Sequence, residues 1–198
     1  MFRHEGSKGG YLHSHPHFYP AGSKQQQITC YPHKDKNSDF LVKYPLIVES
    51  EQPVEPPISG FERVRHGTKI RLQHIPTGAC LHSHNVRPGF NDDKEINEVS
   101  AYGNNVTLGD SNDDWVVEIE GVTDSKTPLL AIKSIFRLKH ATTGCYLASR
   151  DQKLPDWGME FKFFDILMLC SVWTARSYLF LKSSTWIDSL ASGKCRAS

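Results

Sequence analysis

The chain has 198 residues, of which 38% are hydrophobic, so it is long enough for one well-buried core and short for two. Its 23 Lys and Arg nearly balance its 22 Asp and Glu, giving a formal net charge of +1. No strong field therefore attracts nucleic acid or an anionic membrane surface, and we expect no nucleic acid partner.

Neither a signal peptide nor a membrane-spanning segment is expected in the chain as written. The opening residues, "MFRHEGSKGGYLHSH", contain no apolar region of the kind that a signal peptide carries. The longest apolar run, "FFDILMLCSVW", is shorter than the roughly 20 residues that a spanning helix needs, and Asp165 interrupts it.

The tetrapeptide Leu-His-Ser-His occurs twice. The first copy is Leu12, His13, Ser14, His15, and the second is Leu81, His82, Ser83, His84. Two histidines at i and i+2 on a strand point the same way and could share a metal ion. They could instead satisfy backbone groups at a hairpin corner, or bind sugar hydroxyls or peptide backbone. These three interpretations stay open.

Internal repeats indicate the architecture. "RLQHIPTGACLHSH", which ends with the second tetrapeptide, aligns without gaps with "RLKHATTGCYLASR", which ends at Arg150. With the first tetrapeptide this predicts three units, over about 9–45, 63–120 and 132–158. The first unit is expected to lack its opening strand.

Within a unit the pattern predicts short strands. "KIRLQH" alternates apolar and polar residues, "ACLHSH" follows a Pro-Thr-Gly turn, and "DWVVEI" is aromatic and β-branched. Three units of about four strands, none able to bury its own apolar face, predict an all-β protein with a β-trefoil over residues 1–158. Residues 159–198 match no unit and are expected to form an irregular or helical tail.

Other residues are assigned from their positions in the units. Phe40 and Trp115 hold matching places and are expected in the core, whereas Arg71 and Arg137 are expected to brace hairpins or surface carboxylates. The loops beside the tetrapeptides are expected to supply either solvated side chains or a polar rim for a ligand, from Gln25, Gln26, Gln27, Asn97 and Glu98. Asn105 begins an N-glycosylation sequon with Val106 and Thr107.

No catalytic or metal site is predicted. The five cysteines form no CxxC pair, and no Asp or Glu stands beside either tetrapeptide in the sequence. No nucleophile-elbow or paired-carboxylate spacing is present either.

Several of these motifs, in this order, resemble those of the MIR domain. They are "GGYLHSHPHFYPAGSKQQQITCYPHKD", "VRHGTKIRLQHIPTGACLHSH", "NEVSAYG", "GDSNDDWVVEI" and "LPDWG". The Gln run before "CYPHKD" and the late "LPDWG" favour the protein O-mannosyltransferase branch of that family. The resemblance covers about residues 9–158.

The resemblance implies a β-trefoil in the lumen of the endoplasmic reticulum, within a membrane enzyme that transfers mannose from dolichyl-phosphate-mannose to Ser or Thr. The catalytic carboxylate of that family lies outside this segment. The chain is therefore expected to bind no cofactor and to be noncatalytic alone, contacting acceptor secretory proteins or their O-mannose. The resemblance also implies that the parent enzyme dimerises with another family member.

The contact points are expected to be the tetrapeptide histidines, on corners that face outward. Replacing His13 or His82 by alanine should then weaken binding and leave the fold intact. Two alternatives are a stand-alone endoplasmic reticulum MIR protein acting as a chaperone partner, and a nonfunctional truncated product.

Overall fold

The computed structural model describes residues 1–5, 10–45, 63–89, 96–106, 109–153, 161–166 and 173–175. Within these residues the chain forms strands and two 3₁₀ turns, Lys36–Ser38 and Ser111–Asp113. The strands are β1 (Phe2–His4), β2 (Tyr11–Phe18), β3 (Gln26–Tyr31), β4 (Phe40–Lys43), β5 (Lys69–His74), β6 (Cys80–Ser83), β7 (Ile96–Tyr102), β8 (Trp115–Ile119), β9 (Ile135–His140), β10 (Tyr146–Lys153), β11 (Phe161–Ile166) and β12 (Trp173–Ala175). None of the described helices is long and apolar enough to cross a membrane.

The strands fall into three successive groups of four, one for each sequence unit. Consecutive units meet through antiparallel pairs, β4 with β5 and β8 with β9, and the last strand β12 pairs with the first, β1. Together with the pairs β5–β8 and β9–β12, these contacts arrange one layer in the order β1–β12–β9–β8–β5–β4. This layer is the barrel part of the fold.

The remaining strands form three hairpins, β2–β3, β6–β7 and β10–β11. The second strands of these hairpins pair with each other, because β3 contacts β7, β7 contacts β11, and β11 contacts β3. This triangle is the cap around the pseudo-threefold axis. The all-β class and the β-trefoil are confirmed.

The core repeats with the units. Leu12, Leu81 and Leu147 hold the same position in β2, β6 and β10, and each is fully buried. Inward-facing side chains alternate along a strand, so one leucine per hairpin reaches the shared centre. Trp115 is fully buried and Phe40 is 7% exposed, which confirms the core assignment for both.

Buried histidines at the ends of β5 and β9 tie neighbouring units together. His74 Nε2 lies 3.0 Å from the carbonyl oxygen of Asn37, and His140 Nε2 lies 2.9 Å from that of Asn112. Burial lowers the pKa of His74 to about 4, so its ring is neutral and can donate one hydrogen bond while accepting another. Each of these carbonyls belongs to a 3₁₀ turn of the preceding unit.

Strand β1 shows that the first unit does have its opening strand, so that expectation was wrong. The His4 backbone N–H donates to the carbonyl of Gly10, just as His74 donates to Ala79 and His140 to Cys145. The first of these loops is one residue longer than the other two. The extra residue shifts the alignment and hides the match.

The expectation of an irregular or helical tail is wrong for 161–166 and 173–175. These residues are β11 and β12, the third and fourth strands of the third unit. They pair with β10, β7, β3, β9 and β1, whose backbone groups need partners. The rest of 159–198 lies outside the described residues.

Candidate functional site

The leucines and serines of the two tetrapeptides have structural roles. Leu12 and Leu81 fill the core, while both serines are completely buried. Ser14 Oγ donates a hydrogen bond to the carbonyl of Gln27 at 2.7 Å, and Ser83 Oγ donates to that of Glu98 at 2.9 Å. Each serine therefore fastens its hairpin to the partner strand.

The tetrapeptide histidines were expected on outward-facing corners, and this expectation is wrong. His13 and His82 are each 3% exposed, His15 is buried, and His84 is half-buried. The first two belong to strands β2 and β6, where the pleat directs them toward other parts of the same unit. The ring centroids are 5.5 Å apart in the first pair and 5.0 Å apart in the second.

Carboxylates lie beside both tetrapeptides in the folded chain. His13 Nε2 is 3.4 Å from the Asp35 carboxylate. His82 Nδ1 is 2.8 Å from Asp113 Oδ1 and 4.0 Å from Asp110 Oδ1. The expectation that no acid stands beside the tetrapeptides is therefore wrong in the folded chain, because the carboxylates come from the 3₁₀ turns farther along the sequence.

A shared sequence forms the two 3₁₀ turns. Asp-x-Asn-x-Asp followed by an aromatic residue occupies 35–40 and again 110–115. The Asp35 side chain accepts from the backbone N–H of Asn37 at 2.9 Å, and Asp110 accepts from that of Asn112 at 2.8 Å. This repeat is the sequence signal that could have located the acids. Its variable fourth position is Ser38 in the first unit and Asp113 in the second.

The second unit buries an ionic cluster around this turn. The Asp113 side chain has no exposed surface, and Asp114 is 6% exposed. Arg71 donates from Nε to Asp114 Oδ1 at 2.5 Å and from Nη2 to the carbonyl of Asp110 at 2.7 Å. Arg71 does brace a carboxylate, but that carboxylate is buried and not on the surface, as had been expected of it.

Of the five residues assigned to loops, four lie on strands instead: Gln26 and Gln27 are in β3, and Asn97 and Glu98 are in β7. Gln25 lies just before β3. Gln26 Nε2 donates to Ser14 Oγ at 2.7 Å and to Thr77 Oγ1 at 3.0 Å. Gln27 Nε2 donates to the carbonyl of Phe18 at 3.0 Å. They extend the strands because the cap pairings between units continue through them.

Glu98 is a buried acid with an altered proton affinity. It is 2% exposed and contacts the backbone N–H and hydroxyl of Ser23. Burial raises the pKa of this carboxyl to about 7, and the hydrogen bonds from Ser23 counteract only part of that effect.

A surface depression between the first and second units was not anticipated. Its volume is about 350 Å³. The lining is Phe18, Lys24, Gln25, Gln26, Ala101, Tyr102, Gly103 and Asn104. Phe18 is 64% exposed and Tyr102 is 47% exposed. Neither aromatic was selected from the sequence, because aromatic residues at strand ends are usually assigned to a core.

Asn105 follows this depression and is exposed. Gln73 Nε2 donates to Asn105 Oδ1 at 3.3 Å. Thr107, the last residue of the sequon, lies outside the described residues, and glycosylation of Asn105 stays a prediction.

Comparisons with known proteins agree with the resemblance. The MIR domain family model matches residues 10–164. Dolichyl-phosphate-mannose–protein mannosyltransferase 1 of Candida albicans is 48% identical over 161 residues, which cover 79% of this chain and 17% of that protein. This chain therefore spans about a sixth of the length of that relative.

Two solved structures share the fold. The Saccharomyces cerevisiae protein O-mannosyltransferase Pmt1-Pmt2 complex bound to the sugar donor matches with a TM-score of 0.75 and 36% identity, over 92% of this chain and 26% of that chain. The SDF2-like protein from Arabidopsis thaliana also matches with a TM-score of 0.75, at 31% identity, over 92% of this chain and 94% of that chain.

Proposed function

Because the chain belongs to the MIR domain family, we propose that it is the lumenal recognition module of a protein O-mannosyltransferase of the endoplasmic reticulum membrane. In this role it holds an acceptor polypeptide, or the mannose newly added to it, near the active site of the parent enzyme. The parent takes mannose from dolichyl-phosphate-mannose and pairs with a second family member. The module supplies binding and no catalytic group.

The observation that carries this proposal is the pair of exposed aromatic rings beside amide groups. Phe18 and Tyr102 border the depression, and their rings can pack against the C–H face of a sugar or an acceptor side chain. Gln25, Gln26 and Asn104 supply amides, which both donate to and accept from hydroxyl groups and peptide backbone. A volume of about 350 Å³ lies at the lower end of ligand pockets, which suits one or two sugar residues.

The site residues predicted from the sequence then mainly support the residues that line the depression. Gln26 belongs to both regions, because it lines the depression and donates to Ser14 of the first tetrapeptide. Weak binding is sufficient here, since tethering to the enzyme raises the effective concentration of the acceptor.

Replacing Tyr102 by alanine tests this proposal. Loss of one stacking ring, at about 1.5 kcal/mol, should weaken binding of an O-mannosylated Ser/Thr peptide about tenfold. Binding can be followed by NMR titration of the labelled chain, with the unmodified peptide as a parallel ligand. Ile132→Ala is the control, because Ile132 is 70% exposed and does not line the depression. If Tyr102→Ala and Phe18→Ala bind both peptides like the unmodified chain, the depression is not the site.

The stand-alone alternative has one observation in its favour. The SDF2-like protein matches over 94% of its own length, so this fold also occurs as nearly a whole chain. By structural superposition, identity to that protein is 31%, against 36% to the Saccharomyces cerevisiae mannosyltransferase complex, and this difference favours the mannosyltransferase module.

A further inference from the structure

The second tetrapeptide lies in a group of side chains that can converge on one ion. The ring of His82 and the carboxylates of Asp110 and Asp113 each offer one ligand atom, and these atoms lie within 4.8 Å of one another. Two nitrogen or oxygen ligands of one zinc ion, at 2.0–2.2 Å from it, are at most about 4.4 Å apart. Asp110 has a side chain that is 55% exposed, so it can rotate through the small difference.

The charges around these residues favour a cation. Asp110, Asp113 and Asp114 surround Arg71, but the close ion pair of Arg71 is with Asp114. Arg71 Nη1 is 3.9 Å from Asp113 Oδ2, which is too long for a hydrogen bond. Asp113, which is completely buried, has its closer contact with the ring of His82. A buried carboxylate is costly unless a positive charge compensates it.

His84 provides an independent observation. Its Nδ1 atom is buried and has no hydrogen-bond partner among the described residues. The ring lies 5.0 Å from that of His82 and interacts electrostatically with Asp110. His84 is not one of the three residues whose ligand atoms lie within 4.8 Å of one another, but its ring lies beside that of His82, so a change of side-chain rotamer can bring its unpaired nitrogen to the same ion.

We propose that His82, His84, Asp110 and Asp113 form a binding site for a divalent transition-metal ion such as zinc. Two imidazoles and two carboxylates suit zinc or cobalt better than magnesium or calcium, which prefer oxygen ligands alone. Binding replaces the contact between His82 Nδ1 and Asp113. For Nδ1 to present its lone pair to the ion, the ring of His82 must carry its proton on Nε2.

The described residues of the first unit contain no matching group, so this unit supplies the control. Ser38 stands where the second unit has Asp113, and His13 faces the single carboxylate of Asp35. His13 Nδ1 is also 3.2 Å from the hydroxyl of Thr29. Within the part of the chain that the structure describes, the group occurs in the second unit alone, and the site goes beyond the proposed recognition function.

Isothermal titration of the full chain with Zn²⁺ tests the site, with visible absorption of Co²⁺ as a report of ligand geometry. We expect one ion per chain and the strong d–d absorption of four-coordinate cobalt. His82 and Asp113 are buried and their variants can unfold, so the test uses Asp110→Asn and His84→Gln. Each should weaken binding at least tenfold without altering the unfolding transition of the metal-free chain.

Asp35→Asn changes the matching turn of the first unit and should leave zinc affinity unchanged. The proposal is overturned if no zinc binds, if Asp110→Asn binds zinc like the unmodified chain, or if Asp35→Asn weakens binding equally. Equal affinity for Mg²⁺ would also overturn it, because an imidazole site discriminates against that ion.

Discussion

The two tetrapeptides have one sequence and two surroundings. In both, the leucine enters the core and the serine fastens the partner strand. The second copy, however, contacts Asp113, whereas the matching turn position in the first unit is Ser38. Its partner strand carries Glu98 where the first carries Gln27. The comparison shows that the apolar and backbone-satisfying members of a repeated motif maintain the fold, whereas its charged neighbours distinguish one unit from another.

The largest expected effect comes from removing the extra carboxylate. Asp113→Ala removes the carboxylate that is hydrogen-bonded to His82 Nδ1 and to the backbone N–H of Asp110. Hydrogen bonds to a charged group contribute about 1.5–3 kcal/mol each, so we expect a loss of about 3–5 kcal/mol in the free energy of unfolding. Ser38→Ala, at the matching position, should cost only about 1 kcal/mol. Urea unfolding at pH 7 measures both. Equal losses would mean that the two turns do not differ energetically.

The next effect is the pH dependence that Glu98 imposes. Its folded pKa of about 7 lies above its ordinary value of 4.5, so its stabilising protonated form is lost as the pH rises through this interval. Glu98→Gln should therefore be more stable than the unmodified chain by roughly 3 kcal/mol at pH 8, since one pKa unit corresponds to about 1.4 kcal/mol. The two proteins should have similar stability at pH 4.

Gln27→Glu is the reciprocal change and should introduce a similar loss of stability at high pH into the first unit. His74 acts in the opposite direction. Its folded pKa of about 4 lies below the ordinary value of 6.5, so the stability of the folded chain falls as the pH drops from 6.5 toward 4. The unmodified chain should thus show a shallow pH profile that becomes steeper in Glu98→Gln. A profile unchanged by this substitution would contradict the burial argument.

The smallest effect separates stability from binding. Ser14→Ala and Ser83→Ala each remove a hydrogen bond to a backbone carbonyl and should each cost about 1 kcal/mol. Only Ser14 also accepts from Gln26, which lines the depression. Peptide titration should therefore show weaker binding for Ser14→Ala alone. Loss of binding in both variants would point to a general loosening of the cap.

The sequence predicts the trefoil well, because three units that cannot bury their own apolar faces leave few arrangements. It does not predict β1, since one extra residue after His4 hides the repeat. Strands β11 and β12 were missed because their pairing partners, and not their own pattern, select the extended form.

The site was harder to predict because its members are distant in the chain. His82 meets Asp113 from 31 residues away, and His13 meets Asp35 from 22 residues away. The absence of acidic residues next to the tetrapeptides in the sequence therefore did not indicate their absence in the folded chain. Phe18 and Tyr102 are exposed because they end strands β2 and β7 at the edge of the cap, and the residues around them in the sequence do not indicate where that edge lies.

The pairing of β1 with β12 has a consequence for larger proteins. Phe2 lies opposite Ala175 and His4 opposite Trp173, so the first and last described strands run side by side, about 4.8 Å apart. A host chain that carries this fold between two of its own segments would enter and leave it at nearly one point. Such a domain can be inserted into a host chain without separating the two host segments that flank it.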